Sequence, residues 1–168
     1  MFLDLHEIIE VPGASVPFSC ELDTARIEFP ALSSFEGPVS GSGMVKNTAG
    51  ILELTAAVEA DMIVRCDRCT AEFSSHISLP VTATLKADAD EDDYEDLFPL
   101  EGDGIDVSDV LETCFILGMD QKFLCRPDCK GLCSACGRNL NEGPCSCSKQ
   151  IDPRMAVLGQ LLDDIQEV

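Results

Sequence analysis

Between positions 52 and 64 every even-numbered residue is apolar or small (Leu52, Leu54, Ala56, Val58, Ala60, Met62, Val64), while Glu53, Thr55, Glu59, Asp61 and Arg65 take odd positions. A period of two held over that length marks a strand with one buried face. After Cys66-Asp67-Arg68-Cys69 the alternation resumes. Phe73, Ile77, Leu79, Val81, Ala83 and Leu85 line one face, and Ser74, His76, Ser78, Thr82, Thr84 and Lys86 the other. The two runs predict a β-hairpin with the cysteine pair near its tip. Residues 39–45 predict a further strand, and Asn47-Thr48-Ala49-Gly50 supplies turn residues before the long one, so a three-stranded antiparallel meander is expected. Pro80 cannot donate a ladder hydrogen bond, which puts its strand at an edge or a bulge there. Residues 14–29 contain the apolar pieces Val16-Pro17-Phe18 and Ile27-Glu28-Phe29, enough for one or two strands whose place the pattern does not assign.

Farther along, the period changes. Val107, Val110, Leu111, Cys114 and Phe115 recur at the spacing of an amphipathic helix, expected over about 106–118, with Asp106 or Ser108 as cap and Gly118 as stop. Asp152-Pro153 reads as an N-cap with proline at the first helical position, and Val157, Leu158, Leu161, Leu162 and Ile165 form one apolar face. A C-terminal helix within 151–168 is therefore expected to dock on the body or on a partner. The resulting fold class is α+β: an antiparallel β-meander or small open barrel with a zinc-knuckle hairpin, one packing helix, a Cys-rich zinc-bound tail and a C-terminal helix. The expected organisation is a β-rich domain (1–120) with an acidic loop at 88–104, a Cys-rich segment (121–150) and the final helix (151–168).

Composition permits a core, since 45% of the 168 residues are hydrophobic, with eight Phe and no Trp. Lys and Arg number 11 against 31 Asp and Glu, a formal net charge of −20. That balance argues against nucleic-acid binding through a generally basic surface. The placement of charge says more. Residues 88–112 carry twelve acids and no base, among them the run Asp88-Ala89-Asp90-Glu91-Asp92-Asp93-Tyr94-Glu95-Asp96. Such a stretch would attract a basic protein, or would simply be solvated. The bases Lys122, Arg126, Lys130, Arg138, Lys149 and Arg154 are dispersed around the tail and offer RNA a modest alternative patch.

Ten cysteines then change the picture. The N-terminal Met1-Phe2-Leu3-Asp4-Leu5-His6-Glu7 has neither the positive nor the apolar region of a secretory signal, so a cytoplasmic location is expected. Cytosolic thiols remain reduced unless a metal takes them, which favours metal over disulfides. Cys133-Ser134-Ala135-Cys136-Gly137 has the form of a zinc knuckle, and Cys145-Ser146-Cys147 follows after a short loop. Four soft thiolates suit zinc best, with iron second. Cys66 and Cys69 with Cys125 and Cys129 form the natural second site. In another partition, Cys129 replaces Cys145 or Cys147 in the tail site and only one ion is bound. His6 and His76 are weaker substitutes, better read as surface. Cys20 and Cys114 stand alone as buried thiols.

Strands on both sides of Cys66-x-x-Cys69 count against a thioredoxin-like thiol, which needs a helix N-terminus. Catalytic zinc keeps three protein ligands and an open position, unlike a closed set of four cysteines. Phosphate loops, nucleophile elbows and His-Glu-x-x-His are missing from the sequence. The expectation is a non-enzyme, with a cysteine-based redox or zinc-dependent enzyme as the alternative.

Three stretches resemble the YceD family of large-ribosomal-subunit RNA accumulation proteins. They are Cys66-Asp67-Arg68-Cys69 with Phe73, the run from Cys129-Lys130-Gly131-Leu132-Cys133-Ser134-Ala135-Cys136-Gly137-Arg138-Asn139-Leu140-Asn141 to Cys145-Ser146-Cys147, and Ile151-Asp152-Pro153-Arg154-Met155-Ala156-Val157-Leu158. The resemblance implies a role in assembly or stability of the large subunit, with a ribosomal protein or precursor particle as partner and no established enzymatic activity. Some family members keep the hairpin pair but lack the cysteine-rich tail. This implies two separate sites and leaves the partners of Cys125 and Cys129 open.

Overall fold

The computed structural model describes residues 1–86 and 97–147. Its element order is β1 (Phe2–Asp4), α1 (His6–Ile9), β2 (Ser15–Leu22), β3 (Leu32–Phe35), β4 (Val39–Thr48), β5 (Ile51–Arg65), β6 (Glu72–Lys86), β7 (Leu97–Pro99), β8 (Gly104–Asp106) and α2 (Val107–Leu117). The expected α+β class holds, and the sheet is an open, mostly antiparallel one. Its order is β2-β4-β5-β6-β7, with β3 pairing β5 where β4 has ended. The expected meander is β4-β5-β6. A parallel pair, β6 with β7, and a small sheet of β1 with β8 were not legible in the pattern. Residues 14–29 supply one strand, β2, and a 3₁₀ turn at Thr24–Arg26.

The long hairpin follows its alternation closely. Every even-numbered residue of the 52–64 run is buried, and the facing residues Val81, Ala83 and Leu85 are buried too. The β5–β6 register runs without a shift from Leu52↔Leu85 to Arg65↔Glu72. Pro80 therefore sits in a regular ladder opposite Ala57, with no bulge. Since β7 pairs only with positions 84–86 of β6, the other edge at Pro80 lies open among the described residues.

Helix α2 covers the sheet with Val107, Val110, Leu111 and Phe115, all buried. Asp106 is its cap, accepting from the backbone N–H of Ser108 at 2.9 Å. Gly118 ends the helix in a right-handed conformation, and a Cβ there would lie 2.7 Å from Leu79 Cδ2. It is thus a packing glycine more than a stop signal. A side chain at Gly41 of β4 would collide with Leu111, so glycine lets the helix approach the sheet closely. Cys114 and Cys20 pack against the core, but only half-buried. Glu112, on the same helix, is 5% exposed and ion-paired to Arg26 at 2.9 Å. The expected C-terminal helix and the acidic run 88–96 lie outside the described residues.

Candidate metal centre

Strands β5 and β6 converge on Cys66 and Cys69. The turn between them closes with Thr70 N–H donating to the Cys66 carbonyl and Cys66 N–H donating to the Ala71 carbonyl, both at 2.9 Å. Thr70 adopts a left-handed φ of 59° to make that turn. Cys66 and Cys69 are both at most 4% exposed. No described helix begins or ends at this motif, in keeping with the case against a thioredoxin-like thiol.

The two residues between these cysteines, which sequence reasoning left without a role, tie the tail to the hairpin. Asp67 N–H donates to the Phe123 carbonyl at 2.9 Å, and its carboxylate accepts the Phe123 N–H at 2.6 Å. The Arg68 guanidinium donates to the Cys129 carbonyl at 2.8 Å, while its own carbonyl accepts from Leu132 N–H. Gly131, at φ 74°, passes so close that a Cβ would lie 3.0 Å from the Arg68 carbonyl oxygen. Phe123 stacks on Phe29 with ring centroids 5.7 Å apart, anchoring the segment to the body. These contacts bring Cys125 and Cys129 onto the tip.

The sulfurs of Cys66, Cys69, Cys125 and Cys129 all lie within 4.8 Å of one another. Cys66 and Cys129 are 3.8 Å apart, and Cys69 and Cys125 3.6 Å. Those spacings are far longer than the ~2.0 Å of a disulfide. They match the ~3.8 Å edge of a tetrahedron of sulfurs around an ion at ~2.3 Å. The second group within 4.8 Å is Cys133, Cys136, Cys145 and Cys147. Cys129 groups with the hairpin and not with the tail. His6 and His76 stand outside both groups, paired with Asp103 and Asp61 respectively.

The two clusters differ in surroundings. The hairpin group is buried apart from a half-buried Cys125, whereas in the tail group Cys136 and Cys147 are exposed. Within each group the thiols are pulled apart in acidity. Burial pushes Cys66 up, but backbone N–H groups of Cys125, Cys69 and Arg68 outweigh it and hold the thiol at about 6. Cys125, partly desolvated and sharing hydrogen bonds with Cys69, Cys129 and Cys66, is raised to about 12. In the tail, backbone N–H groups of Cys136 and Ala135 lower Cys133 to about 6, and its hydrogen bond with Cys136 raises Cys147 to about 12. Each cluster thus holds a ready thiolate beside a reluctant thiol, an arrangement that a cation would resolve.

The tail knuckle is shaped by Gly137 N–H donating to the Cys133 carbonyl and Cys133 N–H donating to the Arg138 carbonyl. Gly137 has φ 71°, and no described side chain crowds it. Exposed Lys122, Arg126, Lys130 and Arg138 flank the clusters, interspersed with the exposed acids Asp120, Asp128 and Glu142. Lys149 and Arg154 lie outside the described residues. No described helix is long and apolar enough to cross a membrane.

Fold and site together define an α+β protein in which two four-cysteine clusters of metal-binding geometry meet at the end of an antiparallel hairpin. Comparison with known proteins gives the kinship. The family model described as "Large ribosomal RNA subunit accumulation protein YceD" matches residues 54–162, and the chain belongs to the YceD family. An uncharacterized protein of Mycobacterium tuberculosis is 34% identical over 171 residues, spanning 96% of this chain and 81% of the relative. The Arabidopsis thaliana chloroplastic "Large ribosomal RNA subunit accumulation protein YCED homolog 1" is 35% identical over 78 residues, 45% of this chain and 24% of the relative. Its Zea mays namesake is 39% identical over 64 residues, 36% and 22% of the two chains. No solved structure matches.

Proposed function

We propose that Cys133, Cys136, Cys145 and Cys147 hold one structural zinc ion and Cys66, Cys69, Cys125 and Cys129 another, in a non-enzymatic factor for accumulation and assembly of large-ribosomal-subunit RNA. The partner is a basic ribosomal protein or a pre-ribosomal particle. One observation carries the reading: two four-cysteine groups, each with its sulfurs within 4.8 Å of one another, in a chain of a family described by large-subunit RNA accumulation. Soft thiolates favour zinc over hard cations, and four protein ligands leave no open position for a catalytic water. The reducing cytoplasm suits eight thiols that must stay unoxidised. The −20 charge suits a basic protein partner more than bare RNA.

Elemental analysis of purified protein should return two zinc ions per chain, and one after Cys66→Ser with Cys129→Ser. Pull-down from lysate at low and moderate salt, with and without nuclease, reads the partner. Ribosomal-protein binding that survives nuclease and weakens with salt fits the proposal. Direct RNA binding is the second reading, favoured by the exposed Lys122, Arg126, Lys130 and Arg138. Binding abolished by nuclease alone would select it. A metal-free chain with one fast-reacting thiol would sink the structural role and point to redox chemistry.

A further inference from the structure

Asn141 has no part in ligating either cluster, yet it lies in the loop of one and its amide contacts a cysteine of the other. Its Nδ2 donates to Cys129 Sγ at 3.3 Å and to Asn139 Oδ1 at 2.8 Å, and its Oδ1 accepts from Lys130 N–H at 2.8 Å. A backbone N–H can only donate, so Lys130 fixes which end of the side-chain amide faces the sulfur. Cys129 is 2% exposed. With almost no water at that sulfur, a protein donor is what stabilises its anionic form.

Asn141 belongs to the loop between Cys136 and Cys145, so both ends of its loop are held by residues of the tail cluster. The same loop returns to the hairpin side through Leu140 N–H, which donates to the Gly131 carbonyl at 2.9 Å, and through the bridge between Leu132 and Asn139. Leu132 in turn donates to the Arg68 carbonyl at the hairpin tip. Closing the tail cluster therefore fixes the loop, and the fixed loop presents the Asn141 donor to a ligand of the other cluster.

We infer that Asn141 is a positioning residue that hydrogen-bonds the Cys129 thiolate and couples the two clusters, so that ligand closure in the tail strengthens metal binding at the hairpin. This rests on the reading of both clusters as metal sites. Such coupling is reciprocal: an ion at the hairpin also strengthens binding in the tail. It runs through one side chain and a short bridge between Leu132 and Asn139, and needs no shared ligand.

The test loads the full-length protein with cadmium and follows release from each site to a chelator by the two cadmium-113 resonances. The expected result is that Asn141→Ala weakens the hairpin site about tenfold, in the range usual for residues that orient a metal ligand. Asn141→Asp keeps the acceptor for Lys130 but sets a carboxylate against the thiolate, and should weaken that site further. Breaking the tail cluster with Cys145→Ser and Cys147→Ser should weaken the hairpin site by a similar factor, after which Asn141→Ala should add nothing. Hairpin affinity unmoved by either Asn141 variant overturns the inference. So does an Asn141→Ala effect that is as large with the tail cluster broken as with it intact. A wild-type chain that takes up no cadmium removes the metal reading and this inference together, a result distinct from two bound ions that behave independently.

Discussion

Arg26 and Glu112 form an ion pair that no local pattern announces. Glu112 interrupts the apolar stripe of α2, and its carboxylate at 5% exposure meets Arg26 at 2.9 Å while also accepting from Asp23 N–H at 3.4 Å. Arg26 donates in addition to Asp109 at 2.8 Å. Arg26→Ala leaves the buried Glu112 carboxylate with one weak donor. A buried acceptor stranded in that way costs about 1–3 kcal/mol, which thermal or denaturant unfolding should register. Asp109→Ala removes only the exposed arm of the arrangement and should unfold close to wild type. The near pairs within the two cysteine clusters could be read from spacing, because chelating pairs lie near one another in sequence, but spacing left the partners of Cys125 and Cys129 open. Asp67, Arg68, Phe123 and Asn141 could not, because each works by a hydrogen bond or a ring contact with a residue chosen by the fold.

At the level of elements, the strands with one face on the core were the legible ones. Period-two patterning located β5 and β6 because burial on one face is what the pattern records, and β4 was the weaker strand candidate before the turn at 47–50. Short β1, β3, β7 and β8 each have three or four residues, too few for a period, and the pairings of β1 with β8 and β3 with β5 join strands that are not neighbours in the chain. The tail between Cys125 and Cys147 contains no described helix or named strand. Its order rests on the two clusters and on the bonds of Asp67 and Arg68. Stripping metal with a chelator should therefore abolish amide-exchange protection across 121–147, while β4, β5 and β6 keep theirs. Loss of protection throughout the sheet would show instead that the clusters hold up the whole fold.

For the molecule as a whole, metal uptake is also a proton balance. Cys66 and Cys133 at about 6 are already ionised at neutral pH, whereas Cys125 and Cys147 at about 12 are not. Filling both sites should release fewer than eight protons per chain, measurable by titration in weak buffer. Because the two low thiols sit below their ordinary value, the advantage they bring is present above about pH 6 and lost as pH falls through it. Metal affinity, which already falls with pH wherever binding releases protons, should then fall more steeply, and proton release should rise toward eight. The separation of ligands along the chain adds an order in time. Cys69 and Cys125 are 56 positions apart, whereas all four tail ligands lie between 133 and 147. During synthesis the hairpin pair must wait, exposed and uncoordinated, until the polypeptide has grown past position 129. The tail group is complete 18 residues later, at Cys147, and closes a far shorter loop. The nascent chain thus passes through a vulnerable interval in which Cys66 and Cys69 have no mates, and an oxidant or a stray ion meeting it then would trap it before the body is sealed.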